Sequence, residues 1–238
     1  MSDTATEGEK PGAGKSTIIA LQNVRKSFFR GKEQLDVLAG LDLEIKEGSF
    51  EALMGPSGSG KSTLLNLIAG LDQPTSGKLI VAGADLGAMS EGQRATWRAS
   101  NIGFVFQTYN LMPVLTAVEN VELPLLLAKL PAAERRKRAE IALRVVGLED
   151  RGGHLPRQLS GGQEQRVTIA RAIVADPKII VADEPTGDLD RVSANDILTL
   201  LEKLNSEFNK TIVMVTHDDA AAERAKIVHR LNKGVLAN

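Results

Sequence analysis

Apolar residues gather in short runs at about 18–24, 41–45, 50–54, 79–82, 102–106, 178–182, 211–215 and 227–231, and each run predicts a β-strand. Several alternate with stretches whose apolar positions recur at helical spacing. That order predicts an α/β fold, a mostly parallel sheet with helices packed on it. One helix is expected from Lys61 to Ala69, stopped by Gly70. Another should bury Ile197, Leu201, Leu204 and Phe208, spaced four, three and four residues apart. Between about 108 and 160 the strand signal fades. There Ala139, Ala142, Leu143 and Val146 share one helical face, with Pro131 near the start and Gly147 at the stop. This predicts a helical subdomain inserted in the α/β core. Residues 1–17, rich in Gly, Thr, Glu and Lys, read as a disordered tail ahead of a domain covering 18–238.

Composition narrows the class. Hydrophobic residues make up 42% and charged residues 25% of the 238, the balance of an ordinary soluble globular protein. Lys and Arg (29) nearly cancel Asp and Glu (30), so no global field points to nucleic acid. The basic cluster Arg135-Arg-Lys-Arg138 is accordingly expected to be a solvated helix face. The chain has no cysteine, which excludes disulfides and thiolate metal sites. No apolar run approaches the ~18 residues of a membrane span, and "MSDTATEGEKPGAG" lacks the apolar region of a secretory signal. The expectation is a cytoplasmic protein that meets a membrane only through a partner.

The chemistry starts with a repeated "GKST", once in "PGAGKST" (11–17) and once in "GPSGSGKST" (55–63). A phosphate-binding loop reads G-x-x-x-x-G-K-[S/T], because its curl turns successive backbone N–H groups toward the phosphates. The spacing places Glu9 where the first copy needs glycine, and a carboxylate there would add like charge. In the second copy that position is Gly55. Context agrees. "FEALM" supplies a strand before Gly55, and "STLLNLIAG" supplies a helix whose N-terminus favours anions. The first copy, followed by the strand-like "IIALQNV", is a chance resemblance. Gly55, Pro56, Ser57, Gly58, Ser59, Gly60, Lys61, Ser62 and Thr63 therefore form the candidate ATP cradle, with Lys61 on the β- and γ-phosphates and Ser62 on Mg2+.

In "KIIVADEPTGDLD" (178–190) an apolar run leads into Asp183 and Glu184. It predicts a buried strand whose acidic end emerges at the carboxyl edge of the sheet, where open α/β sheets bind ligands. Asp183 is a candidate Mg2+ ligand through water, and Glu184 a candidate to polarise the attacking water. In "LSGGQEQRVTIARAIVADP" (159–177), Ser160 and two glycines precede a helix, which makes a second backbone anion site with a hydroxyl beside it.

Taken in order and spacing, the loop at 55–63, "LSGGQ" (159–163) and "VADEPTGDLD" (181–190) resemble the nucleotide-binding subunit of an ATP-binding cassette (ABC) transporter. The resemblance extends over nearly all of the chain beyond residue 18. It implies a P-loop NTPase core with an antiparallel β portion, and ATP hydrolysis dependent on Mg2+. Residue by residue, it implies that Phe28, with Phe29 as the alternative, stacks on adenine, that Gln107 senses Mg2+ and the attacking water, and that His217 contacts the γ-phosphate. Asp190 matches the loop that communicates between two sites. The family further implies an ATP-bound, head-to-tail homodimer. In it Ser160, Gly161, Gly162 and Gln163 of one subunit close over the ATP of the other, and an integral membrane permease is the partner. Localisation would then be peripheral, on the inner face of the cell membrane.

Finer likeness in "GPSGSGKSTLLNLIAGLDQPTSG" and "IGFVFQTYNLMPVLTAVENVELPL" is to the lipoprotein-releasing and macrolide-exporting type. A non-transport regulatory cassette of the cell-division type, or a soluble cassette ATPase, would use the same residues. One departure from the family pattern is Glu51, which interrupts the apolar strand before the loop. A carboxylate there should be paired, protonated or near the solvent end of the strand. Were it interior and unpaired, Glu51→Val would stabilise the protein. His154 and His229 read as structural.

Overall fold

A computed structural model describes residues 16–31 and 33–237 of the chain. Most of the expected tail, and of the first GKST, lies outside them. Of that stretch, Ser16 accepts a backbone hydrogen bond from Glu47, and Thr17 opens a strand.

The chain begins with a long hairpin, β1 (Thr17–Arg30) and β2 (Glu33–Lys46). There follow β3 (Phe50–Met54), α1 (Lys61–Ile68), β4 (Ser76–Val81), β5 (Ala84–Asp85), α2 (Glu91–Asn101) and β6 (Ile102–Val105). The middle is helical, with α3 (Ala117–Glu122), α4 (Ala132–Val145) and α5 (Gly161–Ile173). The remainder is β7 (Ile179–Asp183), α6 (Arg191–Ser206), β8 (Thr211–Val215), α7 (Asp219–Ala222), β9 (Ile227–Asn232) and β10 (Val235–Ala237). One sheet is antiparallel, in the order β2-β1-β4-β5. The other runs β10-β9-β3-β8-β7-β6 and is parallel except for the β9–β10 hairpin. This is the α/β core with an antiparallel portion and an inserted helical subdomain.

The strands of the parallel sheet are apolar on both faces because both faces are covered. Phe50, Ala52, Met54, Ile180, Ala182, Ile212 and Met214 pack on α3–α6. The alternate residues Leu53, Ile179, Val181, Val213 and Val215 pack on α1 and the antiparallel sheet. Glu51 falls on this second face.

Some details differ from the sequence pattern. The hairpin runs well past residue 24, and β2 starts at Glu33, where alternation with charged residues hides the strand. The helix from Lys61 stops at Ile68, with Ala69 as its cap. Ile197, Leu201 and Leu204 are buried on α6, but Phe208 is 50% exposed because the helix has ended at Ser206. The face Ala139, Ala142, Leu143 and Val146 is buried as expected.

Candidate functional site

β3 delivers the chain to the sheet's carboxyl edge, and the residues after it curl before α1 starts. Gly55, Gly58 and Gly60 hold left-handed φ angles of 156°, 75° and 104°, which glycine adopts without steric cost. Two of these positions, Gly55 and Gly60, are also crowded. A Cβ on Gly55 would sit 2.1 Å from the Leu231 carbonyl oxygen, and one on Gly60 would meet Val37 O at 3.0 Å. Beside Gly58 there is open space. The curl borders a cleft of about 720 Å3, lined by Gly55, Pro56, Ser57, Gly58, Gly60, Lys61, Ser62, Thr63, Glu184 and His217, with Leu35 and Val37 on one wall. Lys61 reaches over the loop, its Nζ donating to the carbonyls of Gly55 (2.8 Å) and Pro56 (3.0 Å). Ser59 is buried behind the loop.

Beside the cleft β7 ends in Asp183, which adjoins the lining residue Glu184 and whose carboxylate the Ser62 hydroxyl faces. Burial and the neighbouring Glu184 charge push Asp183 above its usual pKa, against the opposing effects of Ser62 and Lys61. Glu184 itself has φ 46°, a rare conformation for a residue with a side chain, held by a backbone hydrogen bond from its N–H to Val215 O. This turn brings Glu184 Oε1 to 3.0 Å from His217 Nδ1, which follows β8. A hydroxyl beside a carboxylate suits Mg2+, which takes one or two protein oxygens and completes its shell with water and phosphate. Among the described residues no group of three or more His, Asp or Glu side chains could hold a metal ion.

Gln107, after β6, lies beside this group but outside the cleft lining. Its Nε2 donates to Asp188 Oδ1 (3.1 Å), and the side chain lies over Gly187, where a Cβ would be 2.9 Å from Nε2. Phe28 is also outside the lining. It stands 43% exposed on β1 opposite Leu35, with Lys26 Nζ 4.9 Å above its ring. Leu35, its strand partner, and Val37 border the cleft, and the sequence pattern missed them because "EQLDVLAG" carries no continuous apolar run.

Ser160 caps α5 in a reciprocal box. Its Oγ accepts from Gln163 N–H, and Gln163 Oε1 accepts from Ser160 N–H at 3.0 Å. Gly161 packs against the Tyr109 hydroxyl and Gly162 against Ser193. Asp190 caps α6 and accepts from Val192 N–H, Ser193 N–H and Ser193 Oγ, bonds that hold its carboxyl below the usual pKa. Within one chain this group does not meet the cleft. Two residues the sequence did not single out brace the region. Gln165, fully buried, donates to Phe106 O and Pro185 O. Arg171 donates to the carbonyls of Tyr109 and Asn110.

Residues 38–187 match the sequence profile of the ABC transporter family. Over 217 residues the chain is 47% identical to an ABC transporter ATP-binding protein of Thermotoga maritima, covering 91% of this chain and 92% of that one. It is 46% identical over 219 residues to the macrolide export ATP-binding/permease protein MacB of Brucella melitensis, covering 92% of this chain but 34% of that much longer one. Among solved structures it resembles the ATP-binding cassette MJ0796 of Methanocaldococcus jannaschii, a dimer in a post-hydrolysis state with ADP and Pi. That likeness has a TM-score of 0.85 at 45% identity, over 92% of this chain and 97% of the other.

Proposed function

The chain belongs to the ABC transporter family, and on that premise we propose that it is the ATP-hydrolysing subunit of a membrane permease of the lipoprotein-release or macrolide-efflux type. The observation that carries the hydrolytic reading is the meeting, in one cleft, of the glycine-rich loop, Lys61 and a Glu184–His217 contact of 3.0 Å, with the Asp183 carboxylate beside them. Support for the dimer comes from the likeness to a dimeric cassette, and from a signature helix start that one chain leaves apart from its own cleft.

In this reading the loop N–H groups and Lys61 bind the phosphates of ATP. Ser62 and Asp183 would hold Mg2+, which when bound neutralises charge on the phosphate oxygens. Glu184 accepts hydrogen bonding from the attacking water and aligns it. His217 fixes the Glu184 carboxylate and offers a donor to the γ-phosphate. Gln107 links the cleft to the helical subdomain, and Leu35, Val37 and Phe28 take the base. Ser160–Gln163 of a second copy complete the site, so closure requires ATP.

The test is Glu184→Gln. The amide preserves shape but is a far weaker base, so the variant should bind ATP, release phosphate at least about a hundredfold more slowly, and elute as a dimer with ATP. Phosphate release at the normal rate would remove Glu184 from this role. The permease is tested by what co-purifies. A membrane protein with an extracytoplasmic domain is expected, whereas recovery of ribosomes or DNA would favour a soluble cassette ATPase.

A further inference from the structure

Glu51 and His229 lie outside the proposed chemistry, yet they form the most deeply buried ionisable pair among the described residues, with Glu51 1% exposed. His229 Nε2 is 2.6 Å from Glu51 Oε2, and the Ser49 hydroxyl donates to Oε1 at 2.8 Å. The carboxylate is thereby satisfied. That leaves open what the pair contributes that a Val–Ile contact would not.

The answer lies further along the same two strands. β9 runs parallel to β3 with Leu53 opposite His229, so Glu51 and His229 meet diagonally on one face. Two residues beyond His229, the Leu231 carbonyl rests against Gly55, where a Cβ would lie 2.1 Å from its oxygen. In the turn that follows, Gly234 N–H donates to Ser59 O (3.1 Å), while Gly234 O accepts from Ala39 N–H (3.0 Å). That glycine is wedged in place, because a Cβ would meet Val37 O at 2.4 Å. The outer wall of the phosphate loop is therefore the backbone of β9 and its turn.

An apolar pair tolerates a small slide of one strand along another, but a hydrogen-bonded buried pair does not. A shift would strand both a carboxylate and an imidazole in the core. We infer that Glu51 and His229 are positioning residues for nucleotide binding: their contact keys β9 to β3, and β9 in turn holds Gly55 and Ser59 in the curl that receives phosphate. The inference rests on the loop being the ATP site.

The test compares dissociation constants for a fluorescent ATP analogue, and KM and kcat for ATP, with melting temperature followed in parallel. His229→Ala should bind roughly three- to tenfold more weakly and raise KM by a similar factor, with kcat at saturating ATP unchanged. Glu51→Gln keeps an acceptor for His229 and should bind nearly as the wild type. Leu204→Ala, in the core under α6, should lower melting without changing affinity. The double variant Glu51→Val/His229→Ile covers the case in which His229→Ala does not fold. It should melt at or above the wild type and still bind weakly. Wild-type affinity in the double variant, or a His229→Ala protein no weaker than Leu204→Ala, would overturn the inference. Lys61→Ala separates the two readings. If it still binds ATP, the loop is not the site. If it loses ATP while His229→Ala does not, only the positioning role is wrong.

Discussion

At position 51 a single carboxylate decides between stability and strain. With His229 as its partner at 2.6 Å, Glu51→Val removes an acceptor and leaves a largely buried imidazole without one. The urea midpoint should fall by the equivalent of about 1–3 kcal/mol with an unchanged slope; a midpoint at or above the wild type would mean that the pair contributes nothing net. This reverses the gain that an unpaired Glu51 would give. The break in the apolar run was visible from sequence. Its partner was not, because 178 residues separate the two, and nothing near His229 marks it. Residues of the phosphate loop were legible for the opposite reason. Their function is local backbone geometry, written in one contiguous nine-residue segment, GPSGSGKST. His217 and Glu184 each stood out at a strand end, but their contact depends on the left-handed turn at Glu184, which no propensity favours for glutamate.

Among the elements, the helical subdomain is held by a residue to which the sequence assigned no role. Asn120, fully buried on α3, accepts from Met112 N–H (2.7 Å) and shares its two Nδ2 protons among the carbonyls of Met112, Leu115 and Thr116. One amide thus replaces the sheet or helix partners that the loop before α3 lacks. Asn120→Ala should destabilise the protein by about 2–3 kcal/mol and open the 111–116 loop to protease while ATP still binds; equal protease resistance would show that the loop is held otherwise. The apolar face of α4 was readable because its period matches its burial. The end of α6 was not, since Phe208 continues the period although the chain has left the helix.

For the molecule as a whole, the expectation is that two chains make two sites. Ser160→Arg should leave nucleotide affinity of the monomer intact, because Ser160 does not line its own cleft. It should abolish the ATP-induced dimer of the Glu184→Gln background in size-exclusion chromatography, since a long cation would intrude at the interface. Persistence of that dimer would argue against head-to-tail closure over the signature. Mixing Ser160→Arg with Lys61→Ala subunits creates one site free of both changes. Phosphate release from the mixture would show that one intact site suffices, and silence that the sites must alternate.

The sheet order also sets a schedule for synthesis. β3 carries the phosphate loop, yet both of its neighbours, β8 and β9, leave the ribosome some hundred and sixty residues or more after it. Until they arrive, β3 is an apolar segment with two open edges, followed by a glycine-rich loop that has no wall. Nascent chains arrested before β9 should therefore fail to retain an ATP analogue even with every loop residue already translated. Sites built from late strands close slowly, and for most of its synthesis this chain depends on whatever shields β3.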